Sequence, residues 1–188
     1  MDMSEDMFRR VVEVSKKLQE RNGREEQINL AGIGESTMHP ELPKFMAIVR
    51  REMPWLQICF ATNGLTMTEE LAKEIKQYRP IIWVSLHRPE IAAKAVNLLK
   101  REGMFAGASV DPSMSSVNWA GQVDWPVTAP PGPCAWTQLG QVIVLADGRA
   151  TRCPFDGEAI GVVADTPEGL LDAEHGAFSL CKSCHMTP

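Results

Sequence analysis

Helical and strand-type hydrophobic patterns alternate along the chain up to about residue 110. Apolar residues recur at helical spacing in four segments, at residues 8–18, 42–49, 71–75 and 91–99. Four short apolar runs of strand type alternate with them, at residues 28–31, 58–61, 81–84 and 105–110. This alternation predicts a parallel sheet, and four parallel strands are too few to close a barrel. The predicted fold class is therefore α/β, a partial parallel βα barrel.

Individual residues predict where the later helices begin and end. Thr66 followed by Glu69 is typical of a capping box at the start of the third helix. Pro89 suits the first position of the fourth helix, and Gly103 suits its end. Cys59 lies inside an apolar strand, so we expect a buried core thiol there rather than a ligand.

The pattern changes after Asp111, which predicts a second domain. Residues 112–133 are rich in Pro, Ser and Gly, as expected of a linker or a final irregular barrel element. We place the boundary near Thr128, which gives a barrel-like domain at residues 1–127 and a smaller module at residues 128–188.

A hairpin is predicted inside the smaller module. The segments 141–145 and 150–153 have strand character and flank the pair Asp147-Gly148. Asp-Gly favours a tight turn because both residues tolerate positive φ. The fold prediction is thus completed by a small cysteine-rich β-hairpin module.

Composition and charge exclude some classes of partner. The chain has 44% hydrophobic and 23% charged residues and a formal net charge of -5, as is ordinary for a globular protein. Its 19 Lys and Arg residues are dispersed among 24 acidic ones, so we expect no nucleic-acid partner. No apolar run reaches the length of a membrane span, and the polar N-terminus is unlike a signal peptide. We therefore expect no membrane partner and a cytoplasmic location.

Four of the five cysteines fall in the last 55 residues. Cys134, Cys153, Cys181 and Cys184 have the spacing Cys-x18-Cys-x27-Cys-x2-Cys, in which the final pair can converge on one metal or cluster. Thiols stay reduced in the cytoplasm, which favours metal binding over disulfides. Two other interpretations stay open, namely buried small hydrophobic residues or a redox pair at the last two cysteines. Spacing alone does not choose between zinc and an iron–sulfur cluster.

Polar and glycine residues follow three of the predicted strands. Gly32 and Gly34 precede Glu35 after the first strand, Asn63 follows the second, and Ser85 ends the third. The carboxyl ends of parallel strands share one edge of the sheet, where ligands commonly bind. Glycines there allow close approach to a ligand, and Glu35 is placed to bind a ligand amine.

These strand ends resemble those of radical S-adenosylmethionine enzymes. Gly32-Ile33-Gly34-Glu35 followed by His39-Pro40-Glu41-Leu42 is similar to the family's Gly-Gly-Glu-Pro strand end and its helix. Ala61-Thr62-Asn63-Gly64 and Val84-Ser85-Leu86 resemble its next strand ends. The resemblance implies that Glu35, Asn63 and Ser85 hold the methionine and ribose parts of S-adenosylmethionine.

The cysteines extend the resemblance to the C-terminus. Cys134-x13-Gly148-x4-Cys153 followed by Cys181-x2-Cys184 resembles the auxiliary-cluster module called SPASM, and its four cysteines favour the shorter twitch form. The resemblance implies one auxiliary [4Fe-4S] cluster on these residues.

The sequence departs from the family in one respect, because it contains no Cys-x3-Cys-x2-Cys motif. The family's radical chemistry depends on the cluster that this motif holds. We therefore expect a radical S-adenosylmethionine-like enzyme that is a fragment or needs a partner, either an N-terminal segment or another chain, and that acts on a small molecule or a peptide. The alternative is a non-catalytic binding module stabilised by zinc on the same cysteines.

Overall fold

The computed structural model describes residues 2–22, 27–31, 34–86, 88–109, 142–151 and 161–162. The chain divides into two compact units, Ser4–Asp111 and Pro112–Pro188. The domain boundary predicted between residues 127 and 128 lies outside the described residues. Within the described ranges, no helix has the length and apolar character needed to cross a membrane.

The first unit is an alternation of helices and parallel strands. Its helices are α1 (Glu5–Asn22), α2 (Leu42–Glu52), α3 (Glu69–Lys76) and α4 (Pro89–Glu102), with a short 3-10 helix at Ser36–Met38. Its strands are β1 (Gln27–Asn29), β2 (Gln57–Thr62), β3 (Ile81–Ser85) and β4 (Phe105–Ser109). The strands pair in the order β1-β2-β3-β4, and every pair is parallel. The predicted α/β class and parallel sheet are confirmed.

One face of this sheet carries the core. Strand connections of this kind are right-handed, so successive crossovers in one direction place their helices on the same face. Ile58, Phe60, Ile82 and Val84 are all at most 1% exposed. They alternate with more exposed positions, notably Ala61 and Trp83, on the other face. Among the described residues, the sheet therefore has one face covered by helices and one face on which Ala61 and Trp83 are exposed.

Helix α1 packs on α2 through an aromatic stack and a group of ion pairs. The rings of Phe8 and Phe45 stack with centroids 4.2 Å apart. Glu5 lies between Lys44 and Arg9, and the hydrogen bond from Lys44 is the main reason why the pKa of Glu5 is lowered. Since these ion pairs are exposed, the apolar stack supplies most of the helix–helix stabilisation.

The helix ends agree with the sequence at two positions and differ at a third. Pro89 begins α4, and Gly103 ends it in the left-handed conformation with φ +74°. The prediction that Thr66 caps α3 was wrong. Thr68 caps this helix, and its hydroxyl accepts a hydrogen bond from the Leu71 amide at 3.2 Å. Thr66 instead hydrogen-bonds to Thr37 at 2.5 Å, a contact between two different loops.

Arg50 fixes the loops at the amino-terminal edge of the sheet. Its guanidinium donates to the carbonyl oxygens of Leu56 at 2.6 Å and Tyr78 at 2.7 Å. Desolvation, and secondarily the charge of Arg79, lowers the pKa of Arg50. The guanidinium donors of Arg50 thus hold backbone carbonyl groups and stabilise the loops at this edge.

Gly64 lets the loop after β2 pack directly on α4. It has φ +80°, and a Cβ placed on it would lie 2.7 Å from the Cβ of Ala95. Such a distance is too short for two carbon atoms that are not bonded. Ala95 cannot turn its side chain away, because it has no atoms beyond Cβ. Only glycine satisfies both the backbone angle and the packing here.

The second unit contains the predicted hairpin. Strands β5 (Ile143–Val144) and β6 (Arg149–Thr151) are antiparallel, and β7 (Gly161–Val162) pairs antiparallel with β6. In the turn, Gly148 has φ +85°, and the Asp147 carboxylate accepts from the Arg149 amide at 3.1 Å. This hydrogen bond is the main cause of the lowered pKa of Asp147. The antiparallel pair and the turn predicted here are present, whereas the cysteine-rich character of the module stays a prediction, because Cys134, Cys153, Cys181 and Cys184 lie outside the described residues.

We expect Gly64→Ala to destabilise the protein more than Gly103→Ala. Both glycines have positive φ, which costs alanine about 1–2 kcal/mol. Gly103 has open space where the Cβ would go, whereas at Gly64 the overpacking against α4 adds about 1–3 kcal/mol. Urea unfolding followed by circular dichroism measures both variants. Equal losses of unfolding free energy would contradict the close approach of α4.

Candidate functional site

The carboxyl ends of the parallel strands bring the predicted polar residues to one edge of the sheet. Thr62 pairs with Val84 in register, so Asn63 and Ser85, which follow them, occupy neighbouring positions. Glu35 reaches the same edge from the loop after β1, since it contacts the Asn63 amide. Gly34 in this loop is exposed, with φ +138° and open space beside its Cα. Gly32 lies outside the described residues.

The Glu35 carboxylate accepts four hydrogen bonds from the protein itself. Its Oε1 accepts from the hydroxyls of Thr37 at 2.6 Å and Thr62 at 2.7 Å, and from the Thr37 amide at 3.2 Å. Its Oε2 accepts from the Asn63 amide at 2.8 Å. The carboxylate therefore fastens the loop after β1 to the end of β2.

The ionised carboxylate also fixes the direction of the hydroxyl hydrogen bonds around it. A carboxylate only accepts, so the hydroxyl protons of Thr37 and Thr62 both point at Glu35. Thr66 must then donate to the Thr37 oxygen, 2.5 Å away. The Thr62 oxygen is likewise free to accept from the Gly64 amide at 3.0 Å. The network is thus internally consistent, and Thr62, which is 1% exposed, is fully satisfied.

Some hydrogen-bonding capacity remains at this edge. Among the described residues, Oε1 of Glu35 accepts three hydrogen bonds and Oε2 accepts one, so one of the two acceptor positions of Oε2 remains. The Asn63 side-chain oxygen accepts from the Leu65 amide at 2.8 Å. No hydrogen bond among the described residues uses the Asn63 side-chain nitrogen or the Ser85 hydroxyl, and both residues are half-buried. The edge thus offers a ligand one carboxylate acceptor, one amide donor and one hydroxyl.

Cys59 is a core thiol, as predicted. It is 2% exposed, its Sγ lies 3.4 Å from the Ile28 carbonyl oxygen, and burial raises its pKa. A raised pKa keeps the thiol protonated and poor as a nucleophile or a metal ligand. Within the part of the chain that the structure describes, no group of three or more His, Cys, Asp or Glu side chains could hold a metal. The metal-site prediction rests on cysteines outside that part.

The structure brings together Glu35 and Asn63 and sets Ser85 on the adjacent strand. Sequence reasoning named Thr62 only as part of the strand end at residues 61–64, and it missed Thr37 and the contact that Thr66 makes with it. Thr62 carried a usable signal, since it is a polar residue at a position that continues the buried alternation of β2. Thr37 and Thr66 carried none, because their contact joins loops that are 29 residues apart.

Comparison with known proteins gives a likeness at the level of the fold. No family model matches the chain, and no curated protein matches it. The crystal structure of BtrN in complex with AdoMet and 2-DOIA superposes with a TM-score of 0.72 at 15% identity, covering 98% of this chain and 80% of that chain. A selenomethionine BtrN structure in an open conformation gives a TM-score of 0.62 at 14% identity, covering 97% and 79%. The chain therefore shares the fold of these BtrN structures.

We expect Glu35→Ala to lower the free energy of unfolding by about 2–4 kcal/mol, because it leaves buried donors without their acceptor. Thr62→Val removes one of those donors and should cost less, about 1–2 kcal/mol. Since both residues belong to one network, the double variant should lose less than the sum of the two. Urea unfolding of the four proteins measures the coupling. Strict additivity would show that the carboxylate does not hold β2 through Thr62.

Proposed function

We propose that this chain is a radical S-adenosylmethionine-type protein that binds S-adenosylmethionine at the carboxyl edge of its sheet. The observation that carries the proposal is the fold it shares over 98% of its length with BtrN, a radical S-adenosylmethionine enzyme whose structure was solved with AdoMet. The polar groups left available at that edge support it independently.

The available groups fit the chemistry of this ligand. The remaining acceptor position on Glu35 Oε2 suits the ligand's ammonium group, because a hydrogen bond between two charged groups is among the strong ones. The Asn63 amide nitrogen and the Ser85 hydroxyl suit the ribose hydroxyls, which both donate and accept. Gly34 leaves room for the ligand to approach the backbone. Glu35 would thus serve the fold and the ligand at once.

The second part of the proposal concerns the C-terminal cysteines. Cys134, Cys153, Cys181 and Cys184 would hold one auxiliary [4Fe-4S] cluster, in a module of the SPASM or twitch type. Such a cluster supplies single-electron transfer when bound. The Cys-x2-Cys pair would contribute two adjacent thiolates, and the other two cysteines would close the module around the site.

The radical-forming step is not assigned to this chain alone. The sequence holds no Cys-x3-Cys-x2-Cys motif, so the ligands for that cluster would have to come from an N-terminal segment or a partner chain. The residues of this chain would bind and orient S-adenosylmethionine and a substrate, which is a small molecule or a peptide.

We expect Cys181→Ala to abolish metal retention. Binding of metal to a four-cysteine site contributes directly to folding, so the C-terminal unit should also become more sensitive to protease. Cys59→Ala is the matched control, since it removes a thiol from the core of β2 and should keep the metal. Iron, sulfide and zinc are measured in protein prepared without oxygen. Equal metal content in Cys181→Ala and the parent would refute the site, and zinc without sulfide would favour the zinc-stabilised module.

We expect S-adenosylmethionine to bind this chain weakly, with Kd of about 0.1–1 mM, because no cluster chelates its amino and carboxylate groups. Glu35→Ala should weaken binding at least ~tenfold through loss of a charge-assisted hydrogen bond. Thr62→Val disturbs the same network but leaves Oε2 in place, so it should retain most of the affinity. Titration calorimetry measures the three proteins. Tight binding that Glu35→Ala leaves unchanged would contradict the assigned site.

A further inference from the structure

The turn that follows α3 holds an arginine in the left-handed backbone conformation. Arg79 has φ +49°, and it is the one residue other than glycine with positive φ among those that the structure describes. Its amide donates to the Lys76 carbonyl oxygen at 3.0 Å and so closes the end of the helix. Glycine is usual at such a place because it has no Cβ, and Gly103, with φ +74°, does this at the end of α4. An arginine there costs conformational free energy.

The side chain of Arg79 makes no contact that offsets this cost. It is exposed, and no hydrogen bond or ion pair among the described residues uses its guanidinium. Its positive charge also acts on Arg50, whose pKa is lowered by desolvation and secondarily by Arg79. Backbone strain, an unused guanidinium and a neighbour of like charge thus occur at one residue. Strain of this kind is concentrated where a protein contacts its ligands.

The backbone of Arg79 is nevertheless held firmly. Its carbonyl oxygen accepts from Nε2 of Gln57 at 3.3 Å and from Nη2 of Arg50 at 3.5 Å. The next residue, Pro80, is buried, and its ring fixes its own φ. The guanidinium therefore starts from a fixed base, which reduces the ordering that binding would require.

Arg79 lines a cleft between the ends of α3 and α4. The cleft has a volume of about 320 Å³, which lies at the lower end of the range for small-molecule sites. Ile81, the first residue of β3, also lines it, so the cleft lies at the amino-terminal edge of the sheet, away from Glu35. Gly103 forms part of the lining, and nothing stands within 4 Å of the place where its Cβ would be. The cleft is therefore open beside the end of α4.

The charged groups of the cleft leave one positive charge without a partner. Nζ of Lys76 lies 3.1 Å from Oε2 of Glu102, whose side chain is only 13% exposed. The hydrogen bond from Lys76 is the main reason why the pKa of Glu102 is lowered, so both groups are charged and neutralise each other. The Arg79 guanidinium remains, and its planar fork matches a carboxylate. A dianion such as phosphate would be repelled by Glu102, so the charges favour a monoanion.

The rest of the lining is apolar. Pro80 and Met104 are buried, and Ile81 is half-buried. These side chains offer a small hydrocarbon group a surface on which it can leave water. A molecule with a carboxylate at one end and a small apolar group at the other would use both parts of the cleft.

We propose that this cleft is a second small-molecule site, in which Arg79 binds the carboxylate of a monoanionic ligand that carries a small apolar group. The site lies at the edge of the sheet opposite to the proposed S-adenosylmethionine site. It does not rest on the proposed function.

Chemical-shift titration of the nitrogen-15-labelled full chain tests the site, with benzoate as the probe. Benzamide supplies the apolar ring without the charge, and inorganic phosphate supplies the charge without the ring. We expect benzoate to bind with Kd of about 0.1–1 mM and to shift the amides of Ile81 and Met104 but not that of Asn63. Benzamide and phosphate should each bind at least ~tenfold more weakly, because each uses only one part of the cleft.

Three variants separate ligand binding from a structural role of Arg79. Arg79→Asn should weaken benzoate at least ~tenfold and at the same time raise the midpoint of urea unfolding, since asparagine tolerates positive φ better. Arg79→Lys keeps the charge but not the fork, so its affinity should be intermediate. Arg51→Gln is the matched control, because it removes an exposed arginine from the last turn of α2 and should leave the affinity for benzoate unchanged.

Several results would overturn the proposal. Absence of benzoate binding, or an affinity that Arg79→Asn leaves unchanged, would remove the site. Phosphate that binds as tightly as benzoate would show attraction of anions in general and no selection for a carboxylate with an apolar group. A lower unfolding midpoint in Arg79→Asn would show that the arginine stabilises the fold, and the strain would then give no reason to assign it to a ligand. Calorimetry with S-adenosylmethionine tests the proposed function separately.

Discussion

The site depends on one carboxylate that collects donors from two loops. Glu35 accepts hydrogen bonds from Thr37, Thr62 and Asn63, and by doing so it joins the end of β1 to the end of β2. A charged group can remain half-buried there because its hydrogen bonds replace those it would make with water. The same contacts orient the hydroxyls of the network. The shape of the edge therefore follows from satisfying a single negative charge.

The two edges of the parallel sheet differ in how their polar groups are used. At the amino-terminal edge the donors of Arg50 are occupied by the carbonyls of Leu56 and Tyr78. At the carboxyl edge Asn63 and Ser85 keep polar atoms that no described residue uses. Chain topology accounts for the face of the sheet that the described helices do not cover, since right-handed crossovers place those helices on the other side. The side chain that holds the loops and the polar groups left available thus lie at opposite edges of one small sheet.

The fold was largely predictable because its signals are local. The alternating apolar patterns located all four parallel strands, and Gly103 located the end of α4. The cap of α3 was misjudged because Thr66 and Thr68 are both followed by glutamates, and only the fold decides which hydroxyl faces the helix. Glu35 and Asn63 were named from sequence as candidate site residues, and the structure places them in contact. Their partners Thr37 and Thr66 were not, since no local pattern reports which loops come together.

The close packing at Gly64 bears on how sequence likeness among such proteins is understood. The tetrapeptide that ends at Gly64 resembles a strand end of a known enzyme family, yet its glycine is required by the passage of α4 beside it. Any descendant that kept this helix would keep the glycine, even after losing all catalytic activity. Part of what looks like a functional motif, here Gly64, is therefore required by the packing of the fold. Such a residue can be kept in a protein that no longer carries out the family's chemistry.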